Sequence, residues 1–515
     1  MALFEHLVLL LFVAAVLLVG SRRLGLPYPT LLSVAGVAVA FLPFSPTIQI
    51  DPRLALVIFI APALLDAAYD TAPRDLKRLW VPLLVLAVGA VIITTAVVAV
   101  VGSQCAGLPI AAAVALGAIV APTDAVAVNA VTNRIDLTRH GSLVIQGESL
   151  LNDATALLIF GVATAAALQS DADNGLARIA LAVPGGIVVG LVLGKCYVAI
   201  AEAFSGTQSS IIMQFTGTFG VWLIADRLNI SPVLAVVTYA MVIGQIMPGR
   251  VTARDRVQSY AVWAAVVFVL NVLAFLFMGL QTRAIIVALP HEQLWPALRF
   301  ASLVLATVII VRIVVLVVYH AVSSRVWRAI KPSWLPRPLS WRATLVISWC
   351  GTRGLLTLAT SFALPPNFPD RNLIVLSAMC VVLGTLIVQG MTLKPLIRWA
   401  GIGDDREFKE AMSKARMQII EAGLASAESE PPAVASVLKK QLQETMAVAG
   451  SRRDPQAPTR FDTGLARAVA AQRSKLHDLR GAGEIEENVF HELEQELDWL
   501  ELSALPSSET EVQEV

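Results

Sequence analysis

Apolar residues recur in blocks of roughly twenty from the start of the chain to residue 400, separated by short polar stretches. The blocks lie near residues 3–20, 27–45, 54–70, 80–102, 108–131, 142–168, 176–204, 209–226, 231–247, 260–281, 297–322, 341–364 and 372–400. A bilayer core of roughly 30 Å takes about 20 apolar residues per helix. The pattern therefore predicts an all-α polytopic membrane protein with about thirteen transmembrane helices over residues 1–400. Beyond residue 400 the pattern changes. Val489, Leu493, Leu497 and Leu500 recur at helical spacing among glutamates between Ile485 and Leu502, which predicts an amphipathic acidic helix. Gly450 to Thr459, with its prolines and arginines, reads as a linker.

Composition supports this division. Of the 515 residues, 56% are hydrophobic and 15% charged, too few charges for a soluble domain of this size. The net charge of +1 hides a split: residues 401–515 carry 22 acidic and 13 basic groups, and residues 1–400 carry 16 acidic and 26 basic. A basic-rimmed membrane domain is thus expected at 1–400 and an acidic tail at 401–515. The tail reads equally as a solvated appendage with short helices and as a regulatory or self-association segment. No basic block is long enough to suggest nucleic acid. Cys105, Cys196, Cys350 and Cys380 lie in or beside apolar blocks and form no CxxC, so they are expected to be small buried hydrophobes. The first block has Glu5 and His6 where a signal peptide would be basic, and no small-residue cleavage site follows it; it reads as a retained span.

Loop charge predicts the orientation. One set of alternate loops holds fifteen Lys and Arg, from Arg22 and Arg23 to Arg337 and Arg342. The opposite set holds about five, such as Arg53, Arg178, Arg227, Arg283 and Arg371. The richer set belongs in the cytoplasm, which puts the N-terminus outside and the tail inside.

Five ionisable residues inside the blocks need an account: Asp66, Asp124, Glu148, Asp153 and Arg312. Such groups are costly at bilayer depth and by default mark a function. Asp153 closes the stretch Gly147-Glu148-Ser149-Leu150-Leu151-Asn152-Asp153, about ten residues or roughly 15 Å into the sixth span. Ser149 shares its helical face, four residues earlier. Glu148 and Asn152 share another face, rotated by about 100°. A structural carboxylate here needs a fixed cation or several donors, or stays protonated. A transport carboxylate needs intermittent water access instead, and that is the reading expected for Asp153. Arg312, within Val308 to Val315, cannot shed its charge and must find an anion; Glu148 is the expected partner, in an ion pair that positions two helices.

Two spans contain interruptions. In the fifth, Pro122 removes a backbone donor ahead of Thr123 and Asp124. Freed carbonyls plus a carboxylate suit a hard cation such as Na⁺; a capping aspartate at a helix break is the alternative. In the twelfth, Cys350-Gly351-Thr352-Arg353-Gly354 can release the helix, with Arg353 against the exposed carbonyl end. Corresponding broken helices in two halves of a chain point to a secondary-transporter site. Asp66, after Pro62 in the third span, fits a gate or accessory carboxylate and equally a surface-facing helix-end residue.

In order and spacing, these residues resemble the NhaP/NHE-type sodium–proton antiporters of the monovalent cation–proton antiporter superfamily, over residues 1 to about 400. The resemblance rests on Leu26-Pro27-Tyr28-Pro29, Ala121-Pro122-Thr123-Asp124, Gly147-Glu148-Ser149 with Asn152-Asp153, Phe275-Leu276-Phe277-Met278-Gly279, Arg312 and Gly351-Thr352-Arg353-Gly354. It implies two inverted repeats, crossed interrupted fifth and twelfth helices in a core domain, a dimerisation domain and a homodimer in a bacterial inner membrane. It implies that Asp153 holds either cation or proton, that Asn152 orients the site, and that Asp124, the Thr123 carbonyl and Ser149 contribute cation ligands. Glu148 and Arg312 match the family's buried ion pair, and Arg353 the arginine of the second crossing helix. No cofactor is implied beyond the transported Na⁺ and H⁺. Two positions depart from the family pattern. The third-span motif usually ends in Glu, where Asp66 is one methylene shorter, and Thr352 stands where leucine is more usual.

Asn152 stands where another subgroup has a second Asp, which favours one proton per cation and electroneutral exchange; Asp124, a second carboxylate coupled to the first, weakens that inference. Oxygen ligands do not choose between Na⁺, Li⁺ and K⁺, so K⁺/H⁺ antiport stays open. A sodium-coupled symporter of an organic solute calls for a roomier crossover than these small residues make. A channel or sensor with the tail as its output is a third reading. No enzymatic nucleophile, metal-ligand cluster or phosphate loop stands out, so no enzyme is expected.

Overall fold

Backbone groups in a bilayer must be satisfied within the protein, so an apolar chain of this length has helices and closed barrels as its options. The computed structural model describes residues 2–24, 26–42, 51–124, 128, 139–168, 175–287, 289–332, 338–401, 406–449, 459–482, 484 and 487–504, and among them no strand occurs. The helices of eight residues or more are α1 (Ala2–Leu24), α2 (Tyr28–Ala40), α3 (52–69), α4 (Trp80–Ala106), α5 (Ile110–Val120), α6 (Arg139–Ala167) and α7 (Gly175–Ala201). There follow α8 (Ser209–Arg227), α9 (Pro232–Ile246), α10 (Ala253–Leu280), α11 (His291–Ile330), α12 (Trp341–Trp349), α13 (Leu355–Phe362) and α14 (Arg371–Ala400). By length and composition, seven described stretches can cross a membrane, in α4, α6, α7, α9, α10, α11 and α14; α1, α2, α3 and α5 supply shorter apolar segments. The fifth span beyond Asp124 lies outside the described residues except for Val128.

Local chemistry sets several helix starts. The Ser231, Thr252 and Ser340 side chains accept from the backbone N–H of Leu234, Asp255 and Ala343, satisfying donors that have no partner in the first turn. Pro232 occupies the first position of α9, where its missing N–H is harmless. The sixth-span helix begins at Arg139, earlier than hydropathy suggests, and Asp153 is the middle residue of its 29. A π turn, Leu56–Ile60, interrupts α3 where that helix faces the cavity described below.

The chain divides into two compact units, Met1–Gly403 and Asp404–Glu514. In the first, α2 packs on α10, α7 on α9, and α9 on α3 and α8; α4 packs on α5, α5 on α6, and α11 on α4 and α14. The two groups meet where α13 touches the π turn of α3, α14 touches α2 and α6 touches α9. With no hydrophobic drive between helices in lipid, close packing relies on small residues. A Cβ on Gly36 of α2 would strike the Leu276 carbonyl of α10, and one on Gly279 would strike the Ser33 carbonyl of α2. Large apolar side chains such as Phe12, Val100 and Leu181 are exposed, as a lipid-facing surface requires. The cysteines correct one expectation: Cys350 is buried, but Cys105 and Cys196 are exposed, because in lipid an apolar side chain gains little by turning inward.

The second unit holds α15 (Arg406–Ala427), α16 (Pro432–Ala449), α17 (Arg460–Gly481) and α18 (Glu487–Ala504), paired α15 on α16 and α17 on α18. Arg473 of α17 bonds Asp498 at 2.8 Å and Glu501 at 2.5 Å. The stripe expected to be the apolar face of α18 is mostly exposed at Val489, Leu493 and Leu500; Phe490 is buried instead, under Arg480 at 4.2 Å from its ring centre. The linker expected at Gly450 to Thr459 lies outside the described residues up to its last member.

Gly279→Val forces the α2–α10 crossing apart and is expected to cost about 1–3 kcal/mol, read as a lower Tm in detergent. Gly20→Ala, where a Cβ meets nothing within 4 Å, is expected to leave Tm unchanged.

Candidate functional site

Two helices stop in mid-span, and their broken ends are joined. α5 ends at Val120, and residues 121–124 leave the helix at Pro122. α12 ends at Trp349, and α13 resumes after Gly354. The Asp124 N–H donates to the Thr352 carbonyl at 2.8 Å, and the Thr352 hydroxyl donates back to the Asp124 carbonyl at 3.3 Å. Thr352, the departure from the family's leucine, thus supplies one of the two links.

Each broken end leaves carbonyls without helical partners, and an arginine meets each. Arg353 is 1% exposed. It donates through Nε to the Val120 carbonyl at 3.0 Å, through Nη2 to Ala121 at 3.2 Å, and through Nη1 to Gly351. Its backbone N–H donates to the Thr385 hydroxyl at 3.0 Å. The sequence suggests that Arg353 serves its own helix end; most of its contacts instead cap α5, because the crossing brings that end closer. Arg312, 3% exposed, does the same for α12, donating to the Ser348, Ile347 and Cys350 carbonyls at 3.2, 3.4 and 3.3 Å.

Arg312 also forms a bidentate pair with Glu148, 2.5 Å from Nη1 to Oε1 and 3.1 Å from Nη2 to Oε2. Glu148 is 1% exposed. The Thr123 hydroxyl donates to Glu148 at 3.2 Å and accepts from the Asn152 amide at 2.9 Å. The Ser149 hydroxyl donates to the Thr123 carbonyl at 3.0 Å. Three polar residues within one turn of α6 therefore clasp one residue of the α5 break, which fixes the height and rotation of α6.

That rotation turns Asp153 into a cavity. Its walls include Thr123, Asp124, Ser149 and Asp153, with Phe59, Ile60 and Ala63 of α3 and Phe275 of α10 opposite. Asp153 is buried, at 9% exposure, and no hydrogen bond or ion pair reaches its carboxylate among the described residues. Asp124 lies close to Gly354: a Cβ there would run into its carboxylate. The carboxylate thus abuts the N-terminal end of α13, where the helix dipole favours an anion. Two carboxylates on one low-dielectric cavity repel, and a bound cation or proton relieves that repulsion.

Asp66 does not join them. α3 turns Ala63 and Ala67 to this cavity, while exposed Asp66 lines a second one with Tyr69, Asp70 and Tyr260. Three polar wall residues escape the sequence reading: Gln146, Asn271 and Thr357. Gln146 precedes Ser149 by three and Asp153 by seven, a one-face spacing that could have found it. Asn271 interrupts the apolar run Val269 to Leu276, also a signal. Thr357 has none, since threonine is common in apolar helices.

Residues 8–399 match the family model described as sodium/hydrogen exchanger, transmembrane. An uncharacterised Na⁺/H⁺ exchanger of Mycobacterium tuberculosis is 29% identical over 98% of this chain and 97% of its own length. A sodium, potassium, lithium and rubidium/H⁺ antiporter of Bacillus pumilus is 29% identical over 76% of this chain and 60% of its own. In structure, the sodium proton antiporter MjNhaP1 of Methanocaldococcus jannaschii matches with a TM-score of 0.60 at 18% identity, over 76% of this chain and 97% of that one.

Arg312→Met strands Glu148 and uncaps α12. It is expected to cost about 3–5 kcal/mol, seen as a large fall in Tm in detergent. The double variant Arg312→Met with Glu148→Gln removes the stranded charge and is expected to recover part of that loss.

Proposed function

The chain belongs to the sodium/hydrogen exchanger family, and on that premise we propose that Asp153 is the group through which it exchanges Na⁺ or Li⁺ for H⁺ by alternating access. The observation that carries this reading is a mid-helix carboxylate, buried in a cavity beside two helix breaks, with no protein cation among the described residues to neutralise it. Such a group crosses a low-dielectric region cheaply only when a proton or a cation occupies it. It cannot hold both, so loading one expels the other and exchange is obligatory. In this reading Asp124, Ser149 and the Thr123 carbonyl complete the cation's oxygen shell, and Asn152 holds Thr123 in place. Glu148 and Arg312 act structurally, as does Arg353. Asp66 acts outside the binding cavity, as an accessory carboxylate or gate.

With Asn152 uncharged, Asp153 is the exchanging carboxylate, and one proton leaves it for each cation it takes. The cycle is then electroneutral. The protein is a multi-pass membrane protein, which we place in a bacterial inner membrane as a homodimer with its N-terminus outside. Residues 1–400 form the exchanger, and residues 401–515 a cytoplasmic tail with a regulatory role. A relative named for sodium, potassium, lithium and rubidium makes K⁺ the second cation to test.

In proteoliposomes with a pH-sensitive dye, Na⁺ and Li⁺ are expected to drive proton efflux, with K⁺ weaker. Asp153→Asn is expected to abolish the signal at unchanged Tm; cation-driven flux in that variant would overturn the mechanism. The rate is also expected to be insensitive to an imposed membrane potential, and a voltage-dependent rate would refute electroneutral exchange.

A further inference from the structure

Hydroxyls on helices usually satisfy themselves by bonding back to the carbonyl about one turn earlier. In α13, the Thr360 hydroxyl donates to the Leu356 carbonyl at 2.6 Å and the Ser361 hydroxyl to Leu358 at 2.8 Å. Thr357 is different. Its residues three and four earlier, Gly354 and Arg353, both lie in the non-helical break, so the helix offers no carbonyl in register. The Thr357 side chain is 1% exposed, and its Oγ1 has no hydrogen-bond partner among the described residues. Thr357 nevertheless belongs to the wall of the cavity that holds Asp124, Ser149 and Asp153. It stands one turn from Gly354, the position that abuts the Asp124 carboxylate.

We propose that the Thr357 hydroxyl is an oxygen ligand of the transported cation, contributed by the second broken helix to a shell otherwise built from the fifth and sixth spans. This rests on the Asp153 reading. A neutral hydroxyl adds a lone pair for a hard cation without a further charge, so it tightens binding without altering the exchange stoichiometry. Its oxygen is shielded from bulk water, so a cation reaching it does so without its full hydration shell. Ligation at this point also ties the first turn of α13 to the state of the site: the turn gains a bond when the cation is bound and loses it when a proton takes its place.

The test compares Thr357→Val, which keeps the shape and removes the oxygen, with Thr357→Ser, which keeps the oxygen. In proteoliposomes carrying the full chain, Val is expected to raise the KM for Na⁺ about tenfold, a loss of about 1.4 kcal/mol, with little change in maximal rate. Ser is expected to restore the KM of the parent protein, and the preference among Na⁺, Li⁺ and K⁺ is expected to shift in Val alone. A parent-like KM in the Val variant overturns the proposal, as does an equal defect in Val and Ser, which would mark a packing role. Should Val fail to fold by size exclusion, Thr357→Ala is judged against Ser by the same criteria. Parent-like Val alongside inactive Asp153→Asn sinks the Thr357 ligand alone; an active Asp153→Asn sinks the reading beneath it.

Discussion

A helix that stops inside a membrane leaves carbonyls with no water to receive them, and the arrangement of the first unit follows from how that debt is met. Arg353 covers the end of α5, and Arg312 covers the end of α12. Each arginine brings a charge that cannot be shed. Arg353 is set among carbonyls at the negative end of a helix dipole. Arg312 needs more, and Glu148 supplies it. Glu148 in turn takes the Thr123 hydroxyl, and Thr123 takes Asn152 and Ser149. The requirement at the end of α12 thereby propagates through five side chains to set the pose of α6.

Seen from the charges, the same chain of contacts separates groups held by the protein from the one that the proposed mechanism makes exchangeable. The Glu148–Arg312 pair is closed and bidentate, and Asp124 lies against the start of α13. Asp153 is the ionisable residue of α6 that faces the cavity, and no protein donor reaches it among the described residues. The rigidity of its neighbours matters here. A carboxylate on a loosely held helix could swing to a protein donor, whereas the clasp on Thr123 holds Asp153 in the cavity, as the proposed exchange requires.

Much of this is legible in the amino acids because membranes make ionisable residues conspicuous. Arg312 and Glu148 lie 164 positions apart, yet a buried guanidinium must find an anion and few were on offer. Asp153 and Ser149 share a face by arithmetic. What sequence does not reveal is which helix crosses which. Arg353 belongs chiefly to α5 for that reason. Asp66 sits on the helix that lines the cavity but on a face turned from it, a rotation hydropathy does not determine when all sides of a helix are apolar. The cysteines and the α18 stripe fail on a related point: apolar periodicity identifies a face, but not what covers it. Thr357 stays hidden because its distinction lies in a carbonyl displaced four residues earlier.

The contact between Gly36 and Gly279 bears on motion. At that point backbone lies against backbone, and Tyr28 of α2 also packs edge-on against Phe268 and Phe275 of α10, so the two helices are tightly joined. Any relative displacement that opens the cavity must then be taken up at a softer seam, and α3 against α13 qualifies, with a π turn on one side and a glycine-bounded helix start on the other. The cavity's walls straddle that seam, with Phe59 and Ile60 on one side and Leu355 and Leu356 on the other. In mechanical terms, the bearing surface and the cavity of the proposed exchange coincide, so a displacement along this seam works against the apolar contacts that line it.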